Sequence, residues 1–156
     1  METFDAIPPV QGSIMEFLID DDKKENLSGI GLLALRLSAG LMMLFAHGLG
    51  KIENFGGVAE NFDGLLGMPG TINAVLVIFA EVLCAILIMG GALTRLAAIP
   101  LVIAMLVASY AHAIMWGDPF GDYELALLYA GVFLTLAFTG PGKFSIDALL
   151  SNNRNG

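Results

Sequence analysis

Cysteine, charge and basic residues are all scarce in this chain of 156 residues, and each scarcity excludes a class of protein. The single cysteine, Cys84, excludes an intramolecular disulfide and any zinc or iron–sulfur site built from several cysteines. Charged residues make up 14% of the chain, whereas soluble domains carry about 25%. Seven Lys and Arg face fifteen Asp and Glu, so the net charge is −8 and no basic patch is present to bind a nucleic acid.

What the chain has instead is apolar sequence, which is gathered into four blocks at residues 29–50, 72–93, 96–116 and 124–139. At 1.5 Å per residue the first block is about 33 Å long, enough to cross the hydrocarbon core of a bilayer. The turn at Thr94-Arg95 is so short that the helices on either side of it must be antiparallel neighbours. We therefore predict an all-α polytopic membrane protein with four transmembrane helices in an antiparallel bundle.

The membrane domain is predicted to occupy residues 28–142, between an acidic amino-terminal arm (residues 1–27) and a short tail (residues 143–156). The opening sequence lacks the basic and apolar regions of a cleavable signal peptide, so insertion is expected to use an internal apolar segment. Basic residues near the ends of the spans gather on one side, which places both termini in the cytoplasm. These residues are Lys23, Lys24, Arg95, Lys143 and Arg154.

Two charged residues are predicted to lie deep in the bilayer, Arg36 in the first span and Glu81 in the second. A charged side chain at that depth costs at least ~2.5 kcal/mol, so it is retained where it meets a partner or a polar cavity. We expect Arg36 and Glu81 to form a buried polar pair. The alternative is that one of them handles protons or binds a substrate.

Four further polar residues are expected at one depth near the opposite, outward-facing end of the bundle: His47, Lys51, His112 and Glu124. We predict that they line one pocket, in which His112 and Glu124 act as acid–base catalysts and all four bind a cofactor. Imidazole, ammonium and carboxylate groups beside apolar walls suit the carbonyls of a quinone headgroup. Two histidines could also hold a haem or a metal, and each residue alone could be a packing or interfacial residue.

An ordered series of motifs runs through the chain: Arg36, Gly40, Gly48-x-x-Lys51, Gly67-Met68-Pro69, Glu81, Gly90 to Arg95, His112, Glu124 to Tyr129 and Gly140 to Asp147. In this order the chain resembles the DoxX family from about Gly29 to Leu150. The resemblance implies a four-helix protein of the prokaryotic plasma membrane. Relatives include a subunit of a thiosulfate:quinone oxidoreductase, which favours quinone as the ligand of the predicted pocket.

The leading hypothesis is thus a quinone-linked membrane oxidoreductase subunit that works with a redox partner subunit, and the chain is also a candidate homo-oligomer. A second hypothesis is a small transporter or channel that uses Glu81 as an intramembrane polar site. A third is a non-catalytic scaffold that recruits soluble redox enzymes through the amino-terminal arm and the carboxy-terminal tail.

Overall fold

The computed structural model describes residues 21–153, and helices account for most of them. The predictions for residues 1–20, which form most of the acidic arm, and for residues 154–156 lie outside the described residues. Within the described part the chain has no strand, and four of its helices are long and apolar enough to cross a membrane. The prediction of an all-α membrane protein with four spans is therefore confirmed.

The helices are numbered in chain order. Helix α1 begins at Asp21 and ends at Glu53; it consists of an α-helical part (Asp21–Met42), a π-helical turn (Met43–Gly48) and a last α-helical turn (Leu49–Glu53). The other helices are α2 (Phe55–Asn61), α3 (Gly70–Gly90), α4 (Thr94–Trp116), α5 (Phe120–Thr139) and α6 (Ile146–Asn152). Within α3 and α4 lie two more π-helical turns, Phe79–Cys84 and Ala111–Trp116.

The membrane-crossing part of α1, Lys23–Glu53, is longer than the predicted span of residues 29–50. Its 31 residues measure about 46 Å at 1.5 Å per residue, which exceeds the hydrocarbon thickness of a bilayer. Short connections separate α3 from α4 and α4 from α5, as between antiparallel neighbours. The antiparallel order itself stays a prediction.

Large apolar side chains from all four long helices meet in the middle of the bundle. Met43, Ile88, Leu101 and Phe133 are each 0% exposed, one from each helix. Helix α1 approaches α3 closely at Gly48, where an added Cβ would lie 2.9 Å from the carbonyl oxygen of Glu81. This contact sets the α1–α3 distance at the level of the polar residues, because any larger residue would push the helices apart.

The segment after α5 is part of the fold rather than a free tail. The carboxylate of Asp147 accepts hydrogen bonds from the backbone N–H groups of Leu93 (2.8 Å) and Thr94 (3.1 Å), at the start of α4. The backbone N–H of Asp147 donates to the carbonyl oxygen of Gly91 at 3.0 Å. Since these donors have no partner within α4, Asp147 caps that helix and fastens α6 to the bundle.

Candidate functional site

Each of the three π-helical turns contains one residue of the predicted polar sites: His47 in α1, Glu81 in α3 and His112 in α4. A π-helical turn is rare and occurs frequently at functional sites, because the extra residue redirects side chains and loosens the backbone ladder. The sequence gives no sign of these turns, since their apolar pattern is that of an ordinary helix.

Glu81 is paired with Lys51 across the α1–α3 interface. The ammonium nitrogen Nζ of Lys51 donates to Oε2 of Glu81 at 2.5 Å. The Glu81 side chain is 3% exposed and that of Lys51 is 22% exposed, so the carboxylate is enclosed while the lysine reaches it from the rim. A short charge-assisted contact of this kind neutralises a carboxylate that would otherwise be isolated in the bilayer.

The predicted pair between Arg36 and Glu81 is therefore wrong. Arg36 is 0% exposed, but its guanidinium lies against Gly91, ten residues beyond Glu81 in the chain and so about 15 Å away along α3. Its Nη2 donates to the carbonyl oxygen of Phe144 at 2.5 Å, whereas Nε and Nη1 have no hydrogen-bond partner among residues 21–153. The predicted depth of Arg36 was wrong because it was counted from Gly29, whereas α1 begins at Asp21. Arg36 lies at the level of Gly91, beyond the end of α3, instead of near Glu81.

His47 packs against an aromatic residue of α5. Its ring centroid lies 5.8 Å from that of Tyr129 in an edge-to-face arrangement, and Tyr129 in turn stacks on Phe133 at 6.0 Å. An edge-to-face contact is favourable packing geometry for aromatic rings. The structure thus places His47 in an aromatic row between α1 and α5.

An apolar cavity of about 410 Å³ lies between α3 and α4. Along α4 it extends from Pro100 to Trp116, a length of about 24 Å at 1.5 Å per residue. Among the described residues that line it, His112 is the only titratable one, and the other polar groups are the amide of Asn73 and the indole N–H of Trp116. The side facing the bilayer is formed by exposed apolar residues of both helices, Leu76, Phe79 and Ile103.

At the end of this cavity His112 forms a dyad with Asp118, a residue that sequence reasoning missed as a site residue. Nδ1 of His112 lies 2.8 Å from Oδ2 of Asp118, and each side chain is about a third exposed. The left-handed Gly117 (φ +69°) ends α4 and turns the chain back, so that the backbone N–H of Asp118 also donates to the carbonyl oxygen of His112 at 2.9 Å. The Gly-Asp-Pro sequence after α4 was the available signal.

The dyad leaves Nε2 of His112 as the ring nitrogen for a ligand. A carboxylate on one nitrogen of an imidazole fixes its orientation and supports proton transfer at the other. The ring of Trp116 lies edge-to-face with that of His112, with centroids 4.7 Å apart, and lines the cavity beside it. This arrangement can hold one hydrogen-bonding group of an otherwise apolar molecule.

The prediction of one pocket lined by all four outer residues is wrong. The cavity contains His112 but not His47, Lys51 or Glu124, and Glu124 is exposed on α5. Lys51 instead contacts Glu81 on α3, and His47 contacts Tyr129 on α5. Among the described residues no group of three His, Cys, Asp or Glu could hold a metal ion.

Comparison with known proteins agrees with this architecture. The family model described as DoxX matches residues 31–113. Inner membrane protein YqjF of Escherichia coli is 30% identical over 135 residues, which cover 81% of this chain and 97% of that protein. Inner membrane protein YphA of the same organism is 30% identical over 123 residues, which cover 74% of this chain and 88% of that protein. An uncharacterized protein of Haemophilus influenzae is 32% identical over 129 residues, which cover 79% of this chain and 85% of that protein. No solved structure matches the chain significantly.

Proposed function

The chain belongs to the DoxX family of integral membrane proteins, and we propose that it is a quinone-linked subunit of a membrane oxidoreductase. Its ligand binds in the cavity between α3 and α4. The observation that carries this proposal is the position of His112, the only titratable residue of an otherwise apolar cavity, held by Asp118 at 2.8 Å. A molecule with a polar ring and an apolar chain matches both parts of such a site.

Reduction of a quinone to a hydroquinone consumes two electrons and two protons, which reach its two carbonyl oxygens. In this proposal His112 takes the two protons from water one after the other and passes them from Nε2 to the quinone oxygens, while Asp118 holds the ring through Nδ1. Because both side chains are about a third exposed, water can supply these protons from the outer side of the dyad, away from the cavity. The electrons come from a partner subunit, since the single Cys84 leaves this chain no dithiol of its own.

The plasma membrane is the proposed location, with both termini in the cytoplasm. The two named relatives from Escherichia coli are described as inner membrane proteins, and this chain has four helices that could cross such a membrane. The distribution of Lys and Arg supports the orientation.

The transport hypothesis has less support. Glu81, its proposed intramembrane site, is engaged by Lys51. Between the levels of Glu81 and Arg36 the α1–α3 interface is filled by buried apolar residues, among them Met43 and Ile88. The scaffold hypothesis also loses one of its two docking segments, because the tail is bound to the bundle as far as α6.

Titration of the purified protein with a decyl-substituted benzoquinone tests the quinone proposal directly. Trp116 is the only tryptophan and lines the cavity, so its fluorescence reports occupancy. We expect His112→Ala to weaken binding about tenfold, equivalent to about 1.4 kcal/mol. His47→Ala is the matched control, because it removes the same type of side chain at a position that does not line the cavity. Glu124→Gln should likewise change nothing. Equal losses in the two histidine variants, or no binding by the wild type, would contradict the proposal.

A further inference from the structure

The loop between α2 and α3 forms the end wall of the cavity. Phe62, Leu65, Leu66 and Met68 all line it, and residues 62–68 are called the roof segment below. The roof segment lies outside the membrane-crossing helices, so its outer surface faces the aqueous phase. The flank of the cavity between α3 and α4 is instead bordered by apolar residues that face lipid.

The side chain of Asn73, at the start of α3, holds the roof segment in place. Its amide nitrogen Nδ2 lies within hydrogen-bond distance of three carbonyl oxygens, those of Phe62 (2.9 Å), Leu65 (2.9 Å) and Met68 (3.3 Å). Asn73 is only 6% exposed, so water cannot replace these contacts easily. One buried amide thus binds the beginning, the middle and the end of the roof segment.

The backbone of the roof segment is strained. Leu66 has a left-handed conformation (φ +54°, ψ +23°) that is unfavourable for a residue with a Cβ atom. It lies between Gly64 (φ +75°) and Gly67 (φ +72°), for which this conformation carries no steric penalty. Strain of this kind persists only where the surrounding contacts determine the conformation. Here those contacts are the three carbonyl oxygens around Nδ2 of Asn73 and the hydrogen bond from the backbone N–H of Gly70 to Oδ1 of Asp63 at 2.8 Å.

We propose that the roof segment, clamped by Asn73, seals the cavity against water, so that the ligand enters between α3 and α4 from the bilayer. Asn73 is the positioning residue of this seal. The ligand is accordingly a lipid-soluble molecule. Water-soluble molecules cannot enter the cavity, even when they carry a polar group that could bind His112. The assignment of a quinone to the cavity rests on the proposed function, whereas the seal rests on the contacts of Asn73 alone.

Chemical labelling of a cysteine placed in the cavity tests the seal without any quinone. Ala108 lines the cavity, whereas Gly56 is exposed on α2, outside the membrane-crossing helices, with nothing within 4 Å of an added Cβ. Ala108→Cys and Gly56→Cys proteins in liposomes are treated with a sulfonated methanethiosulfonate, which stays in water, and with N-ethylmaleimide, which crosses the bilayer. The protein without either change gives the background from Cys84, which is buried.

With the roof closed, we expect the charged reagent to modify position 108 at least tenfold more slowly than position 56. Adding Asn73→Ala, or Asn73→Asp, which keeps the shape but removes the donor, should raise the rate at position 108 about tenfold by favouring local opening. The rate at position 56, and the rate of N-ethylmaleimide at position 108, should change less than about twofold if the fold is intact.

Leu66→Asn provides a variant with the opposite expected effect. Asparagine tolerates the left-handed conformation, so the closed roof should be favoured and labelling of position 108 should slow a few-fold. The proposal is overturned if the charged reagent modifies positions 108 and 56 at similar rates in the wild-type background, or if both Asn73 variants leave the ratio of these two rates unchanged. Failure of quinone binding would leave this result intact, so the two proposals are judged separately.

Discussion

Helix α3 separates two polar sites that use similar residues in opposite ways. On its α1 side Nζ of Lys51 forms an ion pair with Oε2 of Glu81 at 2.5 Å, and the Glu81 side chain is 3% exposed. On its α4 side His112 is bound by Asp118 through one nitrogen only and lies at the end of a cavity of about 410 Å³. The first site is closed because its charges are matched, so it contributes stability. The second retains an unused hydrogen-bonding atom beside open apolar space, so it is suited to a ligand.

The largest expected effect falls on the closed site. Lys51→Met would leave the buried Glu81 carboxylate without its counter-charge, and we expect the free energy of unfolding to fall by about 3–5 kcal/mol. Denaturant unfolding in detergent micelles measures this loss. The control is Lys143→Met, which removes an exposed lysine and should cost less than about 0.5 kcal/mol. Similar values for the two variants would show that the Lys51–Glu81 pair is not a stabilising element, and the contrast between the sites would fail.

A smaller effect is expected at the open site. Asp118→Asn keeps the shape of the side chain but replaces the carboxylate that orients the His112 ring through Nδ1, so quinone affinity should fall about tenfold, or 1.4 kcal/mol. Trp116 fluorescence measures the change. Asp122→Asn, an exposed neighbour on α5, is the control and should bind as the wild type does. A loss in both variants would mean that surface charge, and not the dyad, governs binding.

The smallest effect concerns His47, whose role we assign to packing. His47→Ala removes the edge-to-face contact with Tyr129, and the free energy of unfolding should fall by about 0.5–1.5 kcal/mol. His47→Phe, which keeps a ring in that position, should recover most of the loss. A decrease in the free energy of unfolding well beyond this range would indicate that His47 also stabilises the Lys51–Glu81 pair. His47 would then have to be counted as part of the closed site.

The overall fold could be predicted from the sequence because the hydrophobic effect acts on long segments. Four apolar blocks separated by glycine, proline and acids permit few arrangements in a bilayer, and the helices found begin and end within a few residues of three of the four predicted spans. The exception is α1, which begins at Asp21 instead of Gly29 because polar residues can extend a helix beyond the membrane.

The candidate site was harder to predict because it depends on which face each polar residue occupies. Counting residues placed His47, Lys51, His112 and Glu124 near one end of the bundle, but not in one interface. Three π-helical turns rotate the helices at His47, Glu81 and His112, and no pattern in the sequence marks those turns. The pairing of Glu81 with Lys51 follows from the close approach at Gly48, and such an approach is a property of packing, not of depth.

The most direct test of the account is analysis of the lipids that remain bound to the purified protein. Organic extracts of the wild type, His112→Ala and His47→Ala, purified side by side, are compared for quinone content per protein chain. We expect the wild type and His47→Ala to retain quinone in equal amounts and His112→Ala to retain about a tenth as much, in line with a loss of about 1.4 kcal/mol. Quinone retained equally by all three proteins, or by none of them, would contradict the assignment of the α3–α4 cavity as the ligand site.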